Sequence, residues 1–291
     1  MHAGRVYVHG ISGALSCYEL STGTRRWRKD FSGEFKKPHG IWGVATSPLI
    51  EGGLCITGVG TEEDGAIAGF RAGSGELAWQ LPGREPSYSS PVAVELAGRR
   101  QVVVLTRTQV LGLLPQNGQV LWELPYRVKY DQNVVTPTVA RDWVFVAGWQ
   151  EPTVGVRVTA AAGKMSATRA WANPRVSFFM SSPVYAGGHL YGLAERDKGS
   201  LVCLDASNGE LAWQSEGGMG DYASLVVAGE KLLVLTDRGV LRVVATDPRG
   251  YRELQRLKVA DPPVWAHLAV ASHRIFLKDK THLSCLALQA E

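Results

Sequence analysis

The sequence lacks several features that would mark an enzyme, a membrane-spanning protein or a nucleic-acid-binding protein. It has no 18-residue apolar run and no GxGxxG, Walker-type, HExxH or GxSxG motif. Charged residues make up 20% of the 291 residues, and the net charge of +4 comes without a Lys/Arg stripe. We therefore expect no transmembrane segment and no nucleic-acid partner.

Cysteine is also scarce. Cys17, Cys55, Cys203 and Cys285 form neither a CxxC motif nor an adjacent pair, so they do not match a zinc site or a redox motif. Cys17, Cys203 and Cys285 occupy equivalent places in three repeat units. Equivalent positions of separate units lie too far apart for a disulfide, so we expect free thiols that pack as small buried hydrophobic residues.

Two markers repeat along the chain. A Gly followed closely by Trp recurs at intervals of 42 to 52 residues, ending at Trp27, Trp79, Trp122, Trp171 and Trp213. A second marker recurs at intervals of 42 to 46 residues, at Pro48, Pro91, Pro137, Pro183, Leu225 and Leu268. A sixth unit carries Arg256 where the spacing places the Trp. Two independent markers with one period indicate a repeat protein.

Each unit contains four runs of about five residues, rich in β-branched and aromatic side chains and separated by turns. The STG, GSG and SNG turns place a Gly where a positive φ is required. Four strands per unit at this period are typical of a propeller blade. We predict an all-β fold, with residues 1–291 forming one β-propeller domain of about seven four-stranded blades. The marker strands are expected to be innermost and the Trp residues to lie on outer strands.

The first and last units are incomplete. The first starts at its second strand and the last stops after its third strand. We expect the natural N-terminus to lie upstream of Met1 and to supply the missing strands, because open strand edges expose unpaired backbone groups.

The stretch from Leu204 to Trp213 (LDASNGELAW) and the stretch from Glu19 to Trp27 (ELSTGTRRW) resemble the pyrroloquinoline-quinone-type (PQQ-like) propeller repeat. Non-enzymatic bacterial propellers carry such repeats, including the lipoprotein of the outer-membrane assembly machinery. This resemblance implies a non-catalytic binding or scaffold protein without a cofactor, located in the periplasm or outside the cell. The chain as given opens MHAGRVYVHG without a signal peptide, although the resemblance implies export. We expect a monomer.

Quinoprotein dehydrogenases carry similar repeats and bind pyrroloquinoline quinone with calcium. The alternative is therefore a PQQ-dependent oxidoreductase of the alcohol or sugar dehydrogenase type. The chain lacks the adjacent Cys pair of that group. The calcium site of that group consists of a Glu, an Asn and an Asp. In this chain Asp131 and Asn133 are the only nearby pair of that kind, and no matching Glu is identified.

The connections between units are the longest loops, and they share one face with the loops between second and third strands. Long loops commonly carry function. Aromatic and polar side chains on this face form a candidate surface for a protein or small-molecule partner. The candidate residues are Tyr88, Asp131, Gln132, Asn133, Arg196, Tyr222, Trp265, His267 and Lys278. The competing interpretation is that the aromatics only cover the inner strands. No catalytic or metal-binding residue is assigned.

Overall fold

The structure is a computed structural model that describes residues 1–37, 39–61, 64–195 and 198–287, without the side chain of Asp131. Within these ranges the chain forms seven antiparallel sheets. Blade 1 consists of β1 (Arg5–His9), β2 (Leu15–Glu19) and β3 (Arg25–Lys29). Blade 2 consists of β4 (Leu49–Glu51), β5 (Leu54–Val59), β6 (Ala66–Arg71) and β7 (Leu77–Pro82). Blade 3 consists of β8 (Val92–Leu96), β9 (Arg99–Leu105), β10 (Gln109–Leu113) and β11 (Val120–Pro125).

Blade 4 follows a 3-10 turn at Lys129–Asp131 and consists of β12 (Thr138–Ala140), β13 (Trp143–Gly148), β14 (Glu151–Ala161) and β15 (Lys164–Asn173). Blade 5 consists of β16 (Val184–Ala186), β17 (His189–Ala194), β18 (Ser200–Asp205) and β19 (Leu211–Gln214). Blade 6 consists of β20 (Ala223–Ala228), β21 (Lys231–Thr236), β22 (Val240–Ala245) and β23 (Glu253–Lys258). Blade 7 consists of β24 (Ala269–Ala271), β25 (Arg274–Lys278) and β26 (Leu283–Ala287). This architecture confirms the prediction of a seven-bladed propeller with three strands in the first and last blades.

The chain forms two compact units. Unit 1 contains residues 1–146 and 156–169, and unit 2 contains residues 147–155 and 170–291. In unit 1, apolar clusters fill the space between blades 1 and 2 and between blades 2 and 3. In unit 2, similar clusters lie between blades 5 and 6 and between blades 6 and 7. The cores therefore lie between neighbouring sheets, as expected where each sheet buries both of its faces.

The first strands begin where the second marker predicts. β4, β8, β12 and β16 start immediately after Pro48, Pro91, Pro137 and Pro183. Within unit 1, β4 contacts β8, and within unit 2, β16 contacts β20. First strands of neighbouring blades therefore meet, as the innermost strands of a propeller should.

Hydroxyl groups just before the first strands join neighbouring blades. In unit 1, the Ser47 amide donates to Ser90 Oγ over 2.9 Å, and the Ser90 amide donates to Thr136 Oγ1 over 3.3 Å. In unit 2, the Ala223 amide donates to Ser181 Oγ over 2.8 Å. These bonds satisfy backbone donors between the blades and explain the Ser or Thr that accompanies the marker Pro.

Each repeat Trp lies on the last strand of its blade, and four of the five dock on the following blade. The indole N–H donates to a carbonyl in the turn between the third and fourth strands of that blade. The pairs are Trp27 with Ala72 (3.0 Å), Trp79 with Pro115 (2.9 Å), Trp171 with Ala206 (3.0 Å) and Trp213 with Asp247 (2.8 Å). Trp122 instead donates to Gln101 Oε1 of its own blade, over 2.5 Å. All five Trp are buried except Trp27, which is half-buried.

The hairpin Gly of the following blade lies against the docked ring. Gly75, Gly118 and Gly209 have φ values of 78°, 70° and 75°, which confirms the predicted left-handed turn. A methyl group at Gly75 would come within 2.8 Å of the Trp27 ring, and one at Gly118 would overlap the Trp79 ring. Glycine is therefore required twice, for its backbone conformation and for the close approach of the indole.

The residue opposite the Trp on the third strand is small. Cys17 pairs with Trp27 and Cys203 pairs with Trp213. Both thiols are free and buried, and burial raises the pKa of Cys203 to about 11, so it stays protonated at neutral pH. Cys285 occupies the equivalent place on β26 and is free, but it is exposed. The prediction that it is buried is wrong, because within the described residues β26 is an edge strand of blade 7.

The register of blade 6 corrects one alignment. A bulge places Gln255 opposite Val243, in the position of the repeat Trp, whereas the spacing had placed Arg256 there. Gln255 is exposed. Where the Trp is replaced, the third-strand position opposite it carries the larger Val.

The Trp–Gly contact predicts a difference between two alanine substitutions in blade 3. Gly98 has nearly the same φ as Gly118, 72° against 70°, but nothing lies within 4 Å of its added methyl. Gly98→Ala should cost about 1 kcal/mol for the left-handed backbone alone. Gly118→Ala should cost a further ~1–3 kcal/mol, because the methyl overlaps Trp79. Urea unfolding measures both values, and equal losses would contradict the docking account.

Candidate functional site

The loops of unit 1 surround a cavity of about 720 Å³. Its lining comes from the connections between blades 1 and 2, 2 and 3, and 3 and 4, together with the loops between second and third strands of blades 2 and 3. These are the two loop classes that the sequence places on one face. Tyr88 and Gln132 of the predicted surface line the cavity.

The connection between blades 1 and 2 is held by aromatic packing. Phe31 is fully buried, and its ring centroid lies 6.0 Å from that of Phe35 in an edge-on arrangement. Phe35 packs so closely on Gly60 that a methyl there would overlap its ring. The amide of Lys36 donates to Asp64 Oδ2 over 2.8 Å. The loop is therefore anchored to blade 2 just before it reaches the cavity.

Two further glycines fix the loop where it forms the cavity wall. Gly40 lies against Tyr88, whose Oη would be 2.8 Å from a methyl at that position. Gly43 has a φ of 78° and lies against the backbone of Ile11, and the neighbouring Val44 amide donates to the Ile11 carbonyl over 2.9 Å. These contacts leave Trp42, between the two glycines, 70% exposed.

Asn133 has a structural role that the sequence did not reveal. It is completely buried, and its Nδ2 donates to the carbonyls of Thr106 (2.6 Å) and Arg107 (3.1 Å). Its own carbonyl accepts the amide of Tyr88 over 3.2 Å. Asn133 thus joins the connection between blades 2 and 3, the loop between β9 and β10, and its own connection between blades 3 and 4, and it does not line the cavity.

Tyr130 lines the cavity with a strained backbone. Its φ of 56° and ψ of 21° are left-handed, and its side chain is 77% exposed. Bulky side chains rarely adopt this region, and such strain concentrates at functional sites. Tyr130 and Trp42 therefore belong with the candidate site. Both lie on connections between units, which the sequence predicts to carry the aromatic side chains of the binding face, but nothing in the sequence signals the positive φ of Tyr130.

The charged side chains of the lining are basic. Lys36, Lys37 and Arg107 contribute to it together with His39, and no acidic residue of the described ranges does. Arg107 forms an ion pair with Glu85, so part of this charge is compensated locally.

The other predicted residues lie in unit 2 or outside the described ranges. Trp265 is 72% exposed, and His267 and Lys278 are exposed. Tyr222 is half-buried, and its carbonyl accepts the Asp237 amide over 2.9 Å. Arg196 and the side chain of Asp131 lie outside the described residues. The proposed role of this group in binding stays a prediction.

Comparison with known proteins identifies the family. The sequence profile of the outer membrane protein assembly factor BamB matches residues 1–215 and, in an overlapping match, residues 137–281. The chain belongs to the BamB family. No curated protein sequence matches it.

Solved structures agree with this assignment at the level of the fold. The crystal structure of BamB from Moraxella catarrhalis aligns with a TM-score of 0.71 and 18% identity, covering 97% of this chain and 79% of that one. The computationally designed Ika8 protein aligns with a TM-score of 0.62 and 11% identity, covering 99% of this chain and 94% of that one. The BamB-family chain therefore shares its propeller fold with an assembly factor and with a designed protein, and the fold alone assigns no activity.

Across the part of the chain that the structure describes, no helix is both long and apolar enough to cross a membrane.

A buried polar chain runs from blade 1 to the cavity wall. His9 Nε2 lies 3.3 Å from the Gly13 carbonyl, and Nδ1 lies 3.0 Å from Thr57 Oγ1. Since the carbonyl can only accept, neutral His9 carries its proton on Nε2 and accepts the Thr57 hydroxyl at Nδ1. Thr57 Oγ1 is in turn 3.4 Å from Thr46 Oγ1, at the edge of the cavity. Burial lowers the pKa of His9 to about 4.

This shift predicts a pH-dependent stability. An unfolded His takes up a proton near pH 6.5, whereas folded His9 does so only near pH 4. The free energy of unfolding should therefore fall, by on the order of 3 kcal/mol, as the pH drops through that window. His9→Gln should remove this component, while His273→Gln, at an exposed position, should retain it. Unfolding curves from pH 7.5 to 4 measure the difference, and equal pH slopes for wild type and His9→Gln would contradict it.

Proposed function

We propose that this chain is a non-catalytic binding protein that acts in outer-membrane protein assembly and holds a protein partner on its loop face. The family assignment supports the role in outer-membrane protein assembly. The observation that carries the binding role is the pair of exposed aromatic side chains, Trp42 and Tyr130, at one cavity. Large aromatic side chains that the core does not use are typical anchors of protein interfaces.

A location in the periplasm follows from the same proposal, since assembly of outer-membrane proteins takes place on that side. We further propose a monomer that needs no cofactor. Trp265 and Tyr222 of unit 2 are proposed as additional partner contacts. Trp265 is the stronger candidate, because it is as exposed as Trp42, whereas Tyr222 is half-buried.

The residues do not fit the quinone–calcium alternative. Asn133, one of its two candidate calcium ligands, is completely buried and does not line the cavity. The cavity lining contains no carboxylate from the described ranges. Among those residues, no group of three or more His, Cys, Asp or Glu side chains is arranged to hold a metal ion. We therefore derive no oxidation step for this chain.

Site-specific crosslinking tests the binding role. A photoreactive phenylalanine analogue at position 42 or 265 should crosslink to a partner in the envelope of the native host. The same analogue at Leu254, an exposed position on the last strand of blade 6, should give no such product. Trp42→Ala should lower partner affinity by at least about tenfold, with a stability change within about 0.5 kcal/mol. If one partner contacts both sites, this variant should also lower the crosslinking from position 265.

Deletion of the gene with complementation links this binding to assembly. We expect the deletion to reduce folded outer-membrane proteins, and Trp42→Ala to restore them less well than wild type. Normal levels in the deletion strain, or dye-linked alcohol oxidation after addition of pyrroloquinoline quinone and calcium, would overturn the proposed function.

A further inference from the structure

Ser89 carries a buried hydroxyl group that no protein group satisfies. The residue is 4% exposed and lies in the connection between blades 2 and 3. Its amide donates to Ser87 Oγ over 3.2 Å, but its own Oγ forms no hydrogen bond within the described part of the chain. A buried hydroxyl that bonds to nothing is unfavourable, and the large majority of such groups in proteins bond to protein or to ordered water. The space beside Ser89 Oγ is therefore where its partner belongs.

A small cavity lies beside this hydroxyl, and Ser89, Thr57 and Thr46 all line it. Its volume is about 10 Å³, which is the space that one water molecule needs and too little for an organic ligand. Apolar side chains such as Ile67 and Val104 form other parts of the wall. Because apolar groups offer no hydrogen bonds, a polar occupant of this cavity bonds to the hydroxyl groups.

Thr57 needs a hydrogen-bond donor in the same space. Its hydroxyl proton goes to Nδ1 of neutral His9 over 3.0 Å, so Thr57 Oγ1 can only accept further bonds. Thr46 Oγ1 lies 3.4 Å away, beyond the usual length of about 2.5–3.0 Å for a bond between hydroxyl groups. Thr57 is completely buried, so solvent at the protein surface does not reach it. A donor inside the small cavity would complete its bonding.

One water molecule meets both requirements. It can donate one proton to Thr57 Oγ1 and bond Ser89 Oγ through its other proton or a lone pair, with Thr46 Oγ1 as a third neighbour. Buried waters typically form about three such bonds. We propose that the small cavity is a binding site for one ordered water molecule, which joins Ser89 to the His9–Thr57 chain. This site does not depend on the proposed function.

The water joins elements that build the floor of the larger cavity. Thr57 lies on β5, Thr46 on the connection between blades 1 and 2, and Ser89 on the connection between blades 2 and 3. The residues that line both cavities are Thr46, Gly58, Pro86 and Ser87. The bonds of the water therefore hold two connections of the candidate site against blade 2, just beneath the space that a ligand would enter.

The sign of one stability change tests the site. If Ser89 Oγ bonds the water, Ser89→Ala removes a satisfied hydroxyl and should lower the urea midpoint of the whole chain. If the hydroxyl bonds nothing, the same substitution relieves an unpaired buried group and raises the midpoint. Ser224→Ala is the matched control, because Ser224 is 6% exposed and its Oγ accepts the Leu268 amide over 3.1 Å. The control should lower the midpoint, and a Ser89→Ala midpoint that is unchanged or raised beside it would overturn the inference.

A double-mutant cycle tests whether Ser89 and Thr57 share the water. Ser89 Oγ does not bond Thr57 directly, so without a common partner Ser89→Ala and Thr57→Val should change the unfolding constant independently. With a shared water, the double variant should change that constant at least about twofold less than the product of the single changes. Independent effects would contradict the shared site.

A high-resolution crystal structure of the whole chain checks the site directly. We expect one water about 2.5–3.2 Å from both Ser89 Oγ and Thr57 Oγ1, and weaker density for it in Ser89→Ala. An empty cavity, a metal ion in this place, or a Ser89 side chain turned to bond a protein carbonyl would each overturn the inference. The proposed function would stand in all three cases, because it rests on the exposed aromatic residues of the larger cavity and on the family.

Discussion

The docking of one Trp on the turn of the following blade is the contact on which the repeat depends. In blades 1, 2, 4 and 5 the indole N–H donates to a turn carbonyl of the next blade, as the Trp79–Pro115 bond illustrates. A buried indole N–H without an acceptor would cost about 1–3 kcal/mol. Apolar packing between sheets is non-directional, whereas this bond fixes where the next turn lies. The regular spacing of the Trp residues follows, since each unit must present its turn to the preceding ring.

The small residue opposite the ring belongs to the same constraint. Gly69 faces Trp79, and a methyl at Gly69 would lie 2.5 Å from the ring. Blade 6 shows the converse, because Gln255 takes the Trp position and Val243 fills the place opposite it. The Trp and the size of the third-strand residue opposite it therefore change together. A sequence with the small residue but no Trp would leave a cavity, and one with Trp and a large residue would be overpacked.

Blade 3 shows how the docking contact can be replaced. Trp122 donates within its own blade to Gln101, whose Nε2 lies 3.8 Å from Met165 Sδ on β15. The strands β14 and β15 are 11 and 10 residues long, well beyond the other strands. The longer hairpin changes what the Trp meets, so a Gln side chain supplies the acceptor that a turn carbonyl provides elsewhere.

The sequence predicts those parts of the molecule in which the docking contact is repeated. The blades, the positive-φ glycines and the loop classes at the cavity follow from the markers, because each docking step requires the same residues at the same spacing. Asn133 was assigned to a binding surface, yet its amide satisfies carbonyls 26 and 27 residues earlier in the chain. Such a bond depends on how one loop packs on another and leaves no repeat in the sequence. The exposure of Cys285 was missed for a related reason, since it depends on a neighbouring strand and not on the residue itself.

The cavity of unit 1 reuses the contact that builds the blades. Gly118 admits the ring of Trp79, and in the same way Gly60 admits Phe35 and Gly40 admits Tyr88. Close packing of a ring on a glycine backbone leaves few alternative positions for either partner. The same contact between a ring and a glycine therefore recurs where the loop sequences do not repeat. At these contacts a ligand meets side chains with few alternative positions, so little of its binding energy is lost to ordering them. The strain at Tyr130 is tolerated under the same condition, because anchored neighbours prevent the backbone from relaxing.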